Sequence, residues 1–276
     1  MEVEPTATEV GSVLIIGGTR GLGLALTRRY ASGGAKKIVA TGRTLPAENA
    51  HPDKVKWLTL DLNKKRDIGV ELVQQLEGLG QKTFDVVIIS AGIFQLEDFS
   101  AKVSKAPNEI SNAPNEDREA LMYKVCAISP VMIVHGLFHA GMLPAGAKVV
   151  LVSSESGSVA LRLHASGNFG HHASKAALNM VGRLLALELK DKGVIVSIVH
   201  PGFMRTQMTR SVGFEKFWNI GHAVEPDVAA GSLIDWVDQL DMSVTGQLWA
   251  PRGGIDIGTG EELLGPDLPT PLLLPW

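Results

Sequence analysis

The stretch VLIIGGTRGLGLAL, residues 13–26, decides the fold of this chain. Its first four residues are a short apolar run, which is typical of a buried strand. The glycines at positions 17, 21 and 23 then predict a tight turn, and the apolar residues after them predict a helix. Such a turn lets the backbone approach a diphosphate, whose negative charge the helix N-terminus stabilises. The stretch therefore predicts a nucleotide-binding turn, and a glycine-rich turn without a ligand is the alternative.

Strands and helices are predicted to alternate along the rest of the chain. Valine- and isoleucine-rich runs predict further strands in the segments KKIVATGR, VKWLTLDL, FDVVIISAG, KVVLVSS, GVIVSIVHPG and TGQLWAPRGG. Amphipathic segments between them predict helices, including IGVELVQQLEGLG and the regions around 119–142 and from 171 onward. Continuous apolar runs indicate strands that are covered on both faces, as in a parallel sheet. The pattern predicts one α/β domain over residues 1–276, a Rossmann fold whose doubly wound parallel sheet has about seven strands, with helices on both faces.

The composition is that of a globular protein and excludes several functional classes. Of the 276 residues, 45% are hydrophobic and 20% charged, and the net charge of −3 provides no basic surface for nucleic acid. The single cysteine, Cys126, rules out an internal disulfide and a structural zinc site, so no metal is expected. No uninterrupted apolar run reaches the roughly 18 residues that span a bilayer, so no membrane partner is expected. Residues 1–11 are acidic and polar, which predicts a flexible N-terminus on a cytoplasmic protein.

Three segments depart from the alternating pattern. The polar segment 99–119 contains APNE twice and is predicted to be a long surface loop. The segment 203–222 includes GFEKFWNIGH, whose apolar and aromatic residues suit either a lid over a hydrophobic substrate or an ordinary packed helix. The C-terminal tail, residues 258–276, is rich in proline and carries Leu272, Leu274 and Trp276. These apolar side chains predict that the tail packs against the body or against a partner subunit.

Several motifs together resemble the short-chain dehydrogenase/reductase family over nearly the whole chain. The glycine turn has the family's Gly-x-x-x-Gly-x-Gly spacing, with Ile16 where a threonine is usual. Asp61-Leu62 is similar to the adenine-contacting pair, and Pro201-Gly202 with Thr206 to the segment that closes over the nicotinamide. The segment 89–92 stands where the family has Asn-Asn-Ala-Gly, with both asparagines replaced. The residues expected to contact a dinucleotide are Gly17, Thr19, Arg20, Gly21, Leu22, Gly23, Arg43, Asp61, Leu62, Ser90, Ala91, Gly92, Lys175, Pro201, Gly202 and Thr206.

Charge at the end of the second predicted strand favours NADPH over NADH. An NAD enzyme places an acidic residue there for the ribose 2′-hydroxyl, whereas this chain has Thr41, Gly42 and Arg43. Arg20 lies in the glycine turn beside that position. Two guanidinium groups suit a 2′-phosphate, which they bind through charge-assisted hydrogen bonds. The alternative is that both are solvated surface arginines.

The resemblance also implies a catalytic group of Asn, Ser, Tyr and Lys, in which two positions are changed here. Lys175 is present, and in the family this lysine binds the nicotinamide ribose and lowers the pKa of the tyrosine. Ser154 is the best match for the serine that holds the carbonyl oxygen, with Ser156 and Ser158 as alternatives. His171, four residues before Lys175, stands in the position of the proton-donating tyrosine.

The asparagine position is also changed, because Cys126 stands four residues before Pro130. A small buried cysteine is a more natural interpretation of this residue than a nucleophile. For His171, three roles remain open: a catalytic acid, a substrate-positioning residue, or a side chain that only fills space. An imidazole is a competent general acid near neutral pH, although Lys175 disfavours its protonated form.

The changed residues restrict the reaction that the sequence favours. Hydride transfer to a ketone produces an alkoxide that needs a proton, whereas transfer to an iminium ion produces a neutral amine. The predicted function is an NADPH-dependent oxidoreductase acting on a hydrophobic small molecule, with an imine, iminium or other activated acceptor. A non-redox cyclase or isomerase on this scaffold and a non-catalytic NADPH-binding protein are the alternatives. By resemblance, helices near 119–142 and 171–190 are expected to form the faces of a homo-oligomer, a dimer or a tetramer.

Overall fold

A central sheet between two layers of helices organises the chain. The computed structural model describes residues 11–46, 54–64, 67–103, 111–164 and 167–276. Within these ranges the strands are β1 (Ser12–Ile16), β2 (Lys37–Gly42), β3 (Val55–Thr59), β4 (Val86–Ile89), β5 (Lys148–Val152), β6 (Ile195–Val199), β7 (Leu248–Ala250) and β8 (Leu272–Leu273). Their order across the sheet is β3-β2-β1-β4-β5-β6-β7-β8. The first seven strands run parallel, and β8 pairs antiparallel with β7.

The predicted parallel sheet is therefore confirmed, and the C-terminal tail adds a short antiparallel strand at its edge. Leu273 of β8 lies opposite Trp249, and Leu272 lies opposite Ala250. Leu272 and Leu274 are buried against the body of this same chain, while Trp276 is half exposed. The proline-rich tail is thus part of the fold of this subunit.

Helices cover both faces of the sheet. In chain order they are α1 (Gly21–Ser32), α2 (Ile68–Gly78), α3 (Glu116–Tyr123), α4 (Ser129–His139), α5 (Phe169–Leu189), α6 (Gln207–Ser211), α7 (Pro226–Gln239) and α8 (Gly260–Leu264). A π-helical turn, Lys124–Ile128, joins α3 to α4. Local sequence sets several helix starts: the Asp67 side chain accepts from two backbone N–H groups of α2, Asn115 caps α3, and Pro226 begins α7.

Alternate residues of β1 supply two separate cores, which explains its uninterrupted apolar run. Val13 and Ile15 pack with α1 and α7 on one face, and Leu14 and Ile16 pack with α2, α4 and α5 on the other. All four side chains are fully buried. A strand covered on both faces needs apolar residues at every position, as the sequence pattern indicated.

The segments that depart from the alternating pattern have different outcomes. Part of the predicted loop 99–119 is helical, because α3 begins at Glu116, and residues 104–110 lie outside the described residues. Of the predicted flexible N-terminus, only Gly11 is described. Among the described residues, the helical stretch Glu116–His139 is long and apolar enough to cross a membrane by length and composition. Its Ile133, Val134 and Leu137 are buried in the core, so packing inside the fold accounts for its apolar character.

The strand order reverses between β1 and β4, and this reversal locates the site. β1 leads outward to β2 and β3 on one side, while β4 begins the other half of the sheet. Parallel sheets of this kind bind ligands outside the carboxyl ends of the strands at such a switch point. The loops that leave β1 and β4 therefore form the floor of a crevice.

Candidate active site

A cleft of about 680 Å³ runs along the carboxyl edge of the sheet. Its lining comes from the loops that follow the six parallel strands β1 to β6, together with α5 and the segment after β7. This volume is in the range of small-molecule and cofactor sites. The nucleotide half lies over β1, β2 and β3, and the reactive half lies over β4, β5 and β6.

The glycine turn after β1 fits a diphosphate because its backbone leaves no room for side chains. Gly17 has φ +88°, and a Cβ there would lie 2.8 Å from the Ala91 backbone. A Cβ on Gly23 would lie 2.0 Å from the Gly17 carbonyl oxygen, so Gly23 shapes the turn from behind the cleft. Among the described residues no side chain caps the start of α1, and its first turn has no acidic residue. The helix N-terminus is therefore free to stabilise an anion.

The predicted 2′-phosphate and adenine contacts lie together at one end of the cleft. Arg20, in the glycine turn, and Arg43, directly after β2, are both exposed and both line the cleft. Asp61 and Leu62, which follow β3, also line it. The Asp61 carboxylate accepts a hydrogen bond from the Asn63 backbone N–H, which fixes the loop after β3.

The side chains of Lys175 and Cys126 both lie close to Gly92. A Cβ on Gly92 would lie 3.7 Å from the Lys175 Nζ and 3.9 Å from the Cys126 Sγ. Lys175 is only 7% exposed, and its ammonium donates to the Val152 carbonyl oxygen at 2.9 Å. Cys126 is buried in the π-helical turn, with its Sγ 3.7 Å from the Ile93 carbonyl oxygen, and it does not line the cleft. Its placement is that of a small buried residue.

The serines after β5 form a hydroxyl pair in the reactive half. The Oγ atoms of Ser154 and Ser156 are 2.6 Å apart, and the Ser154 Oγ accepts from the Ser156 backbone N–H at 3.1 Å. Both residues line the cleft, whereas the alternative Ser158 is fully buried and caps the Leu161 N–H. A Cβ on Gly157 would lie 2.6 Å from the Lys175 carbonyl carbon, so the serine turn packs directly on α5.

His171 faces the same cleft from the first turn of α5 and stacks on an aromatic ring. The Phe94 and His171 ring centroids are 4.2 Å apart, with planes inclined by 26°. Burial, the Lys175 charge and His172 hold the pKa of His171 well below its ordinary value of 6.5. The imidazole is therefore neutral at neutral pH. Its Nδ1 is buried and has no hydrogen-bond partner among the described residues.

Aromatic residues from the 203–222 segment complete the wall around His171. Phe203, Phe214 and Phe217 all line the cleft, and the Phe214 ring packs edge-on against Phe94 with centroids 5.5 Å apart. The segment forms α6 and a short helical turn, Phe214–Phe217, so its apolar residues form a wall of the cleft. Thr206 caps α6, and its methyl group is 3.6 Å from a Cβ built on Gly21.

Sequence reasoning missed a buried group beneath the reactive half. Asp256, in the segment after β7, has a fully buried side chain, and its Oδ1 is 3.5 Å from the His200 Nε2. Glu155 also lines the cleft, and its carboxylate is paired with Arg162. Neither acid lies in a recognisable motif. The only available signal for Asp256 was an isolated acid in the apolar context GGIDIG after the last predicted strand.

Most of the predicted site residues meet in this one cleft. Besides Ser154, His171 and Lys175, those that line it are Gly17, Thr19, Arg20, Gly21, Leu22, Arg43, Asp61, Leu62, Ser90, Ala91, Gly92, Pro201, Gly202 and Thr206. Gly23 and Cys126 lie behind the lining. A glycine turn at a helix N-terminus, placed at the switch point of a doubly wound sheet, defines a dinucleotide-binding protein of the Rossmann class.

Comparison with known proteins gives the family within that class. Residues 11–216 match the short chain dehydrogenase family, and the chain belongs to that family. The predicted membership is confirmed, and with it the class of NAD(P)H-dependent oxidoreductases. The chain is 25% identical to an uncharacterised oxidoreductase of Schizosaccharomyces pombe, over 87% of this chain and 95% of that protein.

Two solved structures show the same fold at low sequence identity. The carbonyl reductase Sniffer of D. melanogaster is 20% identical with a TM-score of 0.70, covering 97% of this chain and 100% of that chain. The NADPH-bound carbonyl reductase from chicken fatty liver is 19% identical with a TM-score of 0.71, covering 98% of this chain and 100% of that chain.

Proposed function

We propose that the protein is an NADPH-dependent oxidoreductase that reduces a hydrophobic, activated C=N acceptor, an iminium ion in its simplest form. The observation that carries this proposal is the neutral, stacked imidazole of His171 in the position of the family's proton donor. The remaining contacts of the cleft are consistent with this chemistry.

The nucleotide half suits NADPH. The tight glycine turn and the uncapped start of α1 would hold the diphosphate, and Arg20 and Arg43 would hold the 2′-phosphate. The similar chicken carbonyl reductase is an NADPH-bound structure. When bound, NADPH supplies a hydride. Lys175 and the Pro201–Gly202 turn line the reactive half, where they would hold the nicotinamide end.

His171 is poorly suited to donate a proton at neutral pH. A neutral imidazole is a far weaker acid than an imidazolium, and the pKa of His171 is lowered by burial first and by the Lys175 charge second. A ketone that accepts a hydride needs a proton on its oxygen, whereas an iminium carbon that accepts a hydride leaves a neutral amine. The site therefore matches the acceptor that needs no proton.

The wall of the reactive half suits a flat, cationic and hydrophobic group. Phe94, Phe203, Phe214 and Phe217 present aromatic surfaces to the cleft. Aromatic faces attract cations, by about 0.5–2 kcal/mol depending on desolvation. The paired hydroxyls of Ser154 and Ser156 can accept or donate a hydrogen bond to a polar substituent of the acceptor.

A matched pair of acceptors tests the proposal. The full-length protein is mixed with NADPH and either a cyclic aryl ketone or the N-methylated cyclic iminium ion of the same ring skeleton, and NADPH absorbance is followed. We expect turnover of the iminium ion at least about a hundredfold above that of the ketone, because general acid catalysis contributes about 10²–10⁴ to ketone reduction. Equal rates, or faster ketone reduction, would contradict the proposal.

The same experiment separates the two alternatives. A non-redox cyclase or isomerase would convert its substrate with NADPH omitted. A non-catalytic NADPH-binding protein would bind NADPH, as measured by its fluorescence, and turn over neither acceptor.

We also propose that the protein forms a homodimer through α5. Met180, Leu184 and Leu187 lie at helical spacing along one side of α5 and are each more than half exposed. An exposed apolar stripe of this kind is typical of an interaction surface. Leu184→Glu is expected to convert a dimer into a monomer in light scattering, while the exposed change Lys190→Glu near the end of the same helix leaves the mass unchanged.

A further inference from the structure

His200 and Asp256 form a buried pair that connects two turns of the reactive half. His200 directly follows β6 and is 5% exposed, and the Asp256 side chain is fully buried. Both residues belong to the lining of the cleft. Neither stands at one of the four catalytic positions that the family resemblance implies, and their contacts with the surrounding backbone indicate their role.

The two ring nitrogens of His200 have different neighbours. Its Nδ1 accepts a hydrogen bond from the Glu155 backbone N–H at 3.1 Å, so Nδ1 carries no proton. Nε2 is then the ring nitrogen that carries a proton, and it is 3.5 Å from the Asp256 Oδ1. Neither the Nε2 nor the Oδ1 atom makes a hydrogen bond within the part of the chain that the structure describes, so each is the other's nearest polar group at 3.5 Å. The tautomer of His200 is thus set by the backbone of the serine turn.

Asp256 holds the turn on the other side. Its Oδ2 accepts from the Phe203 backbone N–H at 2.8 Å, and the Arg252 Nε is 3.5 Å from the same oxygen. Burial alone raises the pKa of Asp256, but the His200 contact, the Phe203 N–H and the Arg252 charge together outweigh burial and lower it. A Cβ on Gly202, whose φ is +101°, would lie 2.7 Å from the Asp256 Oδ2. The carboxylate therefore packs directly beneath the Pro201–Gly202 turn.

We infer that His200 and Asp256 are positioning residues, which hold the Ser154–Ser156 turn and the Pro201–Phe203 turn at a fixed spacing across the cleft. This inference rests on the proposed function to the extent that these two turns face the substrate and the nicotinamide. The pair accepts backbone hydrogen bonds from Glu155 and Phe203, and it makes none with the serine hydroxyls, which bond each other.

Two substitutions of His200 separate its two contacts. In His200→Asn, the amide oxygen replaces Nδ1 and can still accept from the Glu155 N–H, while the contact with Asp256 is lost. In His200→Gln, the longer amide reaches the place of Nε2 and can donate to Asp256, while the acceptor for Glu155 is lost. His200→Ala removes both contacts.

Amide hydrogen exchange of the full-length protein, read residue by residue by NMR, tests the inference without any substrate. We expect the Glu155 amide to exchange about fivefold faster in His200→Gln and His200→Ala than in the wild type, and at the wild-type rate in His200→Asn. The Phe203 amide should exchange about fivefold faster in Asp256→Ala but keep its rate in Asp256→Asn, whose amide oxygen still accepts. Equal Glu155 exchange in the wild type and His200→Gln would overturn the inference, as would uniform acceleration across the molecule in all three His200 variants.

Kinetics with an accepted substrate provide the second measurement. Loss of the serine turn's position should lower kcat about tenfold in His200→Gln, with the NADPH dissociation constant within twofold of the wild type. His200→Asn, which loses only the contact with Asp256, should lower kcat by a smaller factor. If His200→Gln and His200→Asn lose kcat equally, the positioning role is wrong. If no acceptor is turned over by the wild type, the proposed function fails while the exchange experiment still decides the role of the pair.

Discussion

The imidazole of His171 stacks on the ring of Phe94, with centroids 4.2 Å apart, one helical turn from Lys175. In this position a tyrosine would bring a hydroxyl into the cleft, whereas the imidazole brings a flat neutral face. The stack and the lowered pKa of His171 both favour the ring as part of the aromatic wall over the ring as an acid. Of the three roles that the sequence leaves open, these contacts favour substrate positioning or space filling over a catalytic acid.

Replacing His171 with tyrosine should enable the site to reduce ketones. His171→Tyr places a hydroxyl near the Lys175 ammonium, whose charge favours the phenolate and so makes the phenol a better acid. We expect ketone reduction to rise at least about tenfold over the wild type, and iminium reduction to change little. His171→Phe is the matched control, because it keeps a ring against Phe94 and adds no proton donor. Steady-state rates with the matched acceptors measure both, and an equal gain in His171→Phe would contradict the explanation.

Acid should destabilise the fold through His171. Because its folded-state pKa is depressed, folding favours the neutral ring, and the stability that this contributes is fully present above the ordinary pKa of 6.5. This contribution is lost as the pH falls from 6.5 toward the lowered pKa, with a slope for one group of at most about 1.4 kcal/mol per pH unit. Urea unfolding between neutral and mildly acidic pH should show this loss, and His171→Phe should reduce it.

The exposed His164 provides the control for that measurement. His164→Gln removes an imidazole from solvent, so the acid dependence should remain as in the wild type. The pKa of His172 is also lowered, chiefly by burial, and a smaller acid dependence should therefore persist in His171→Phe. An unchanged slope in His171→Phe would show that His171 is not the group responsible.

The choice of NADPH should depend on Arg43. Charge-assisted hydrogen bonds contribute about 1.5–3 kcal/mol, so Arg43→Ala should weaken NADPH binding roughly ten- to a hundredfold and leave NADH binding nearly unchanged. Arg28→Ala removes an exposed arginine of α1 that does not line the cleft, and it should alter neither affinity. Titration of cofactor fluorescence measures all four values. Equal losses of affinity for NADPH and NADH would show that Arg43 contacts a part of the cofactor that the two share.

The sequence predicted the local parts of this site more completely than the distant ones. The glycine turn lies within one strand–turn–helix unit, and His171 and Lys175 lie one helical turn apart. Their spacing in the sequence therefore determines their geometry. The contact between His200 and Asp256 joins two loops of different strands, and it exists only after β6 and β7 pair. No spacing rule relates such residues. The short strand β8 was missed for the same reason, because its partner β7 is set by tertiary packing.

The sequence analysis favoured a buried Cys126, but the side of the loop on which its thiol lies could not be inferred. Cys126 and Gly92 are both close to Lys175 in space, yet only Gly92 lines the cleft, because the π-helical turn directs the thiol behind the loop after β4. The sequence pattern predicted a helix over this region and contained no signal for the extra residue in its turn. The orientation of a side chain on such a turn depends on that local irregularity.

A carboxyl pair beneath α5 leads to a prediction of a stability gain. Glu97 is buried, and its Oε2 accepts from the Gly170 backbone N–H at 2.6 Å in the first turn of the helix that carries His171. Burial raises the pKa of Glu119, and the charge of Glu97 and a hydrogen bond to it raise this pKa further. Glu119 therefore binds its proton more tightly in the folded protein than an ordinary glutamate does.

The sign of the effect follows from that raised pKa. Protonated Glu119 stabilises the fold below its ordinary pKa of 4.5, and this contribution disappears as the pH rises through the folded-state value. As the pH rises and Glu119 loses its proton, burial and the charge of Glu97 both disfavour its carboxylate. Glu119→Gln keeps an N–H donor for Glu97 and removes one charge, so it should raise the free energy of unfolding at neutral pH and with it Tm. The gain should be less than about 1 kcal/mol because Glu119 is partly solvated. Glu116→Gln makes the same change at an exposed position of α3 and should give no gain, and a lower Tm for Glu119→Gln at neutral pH would show that its charge stabilises the fold.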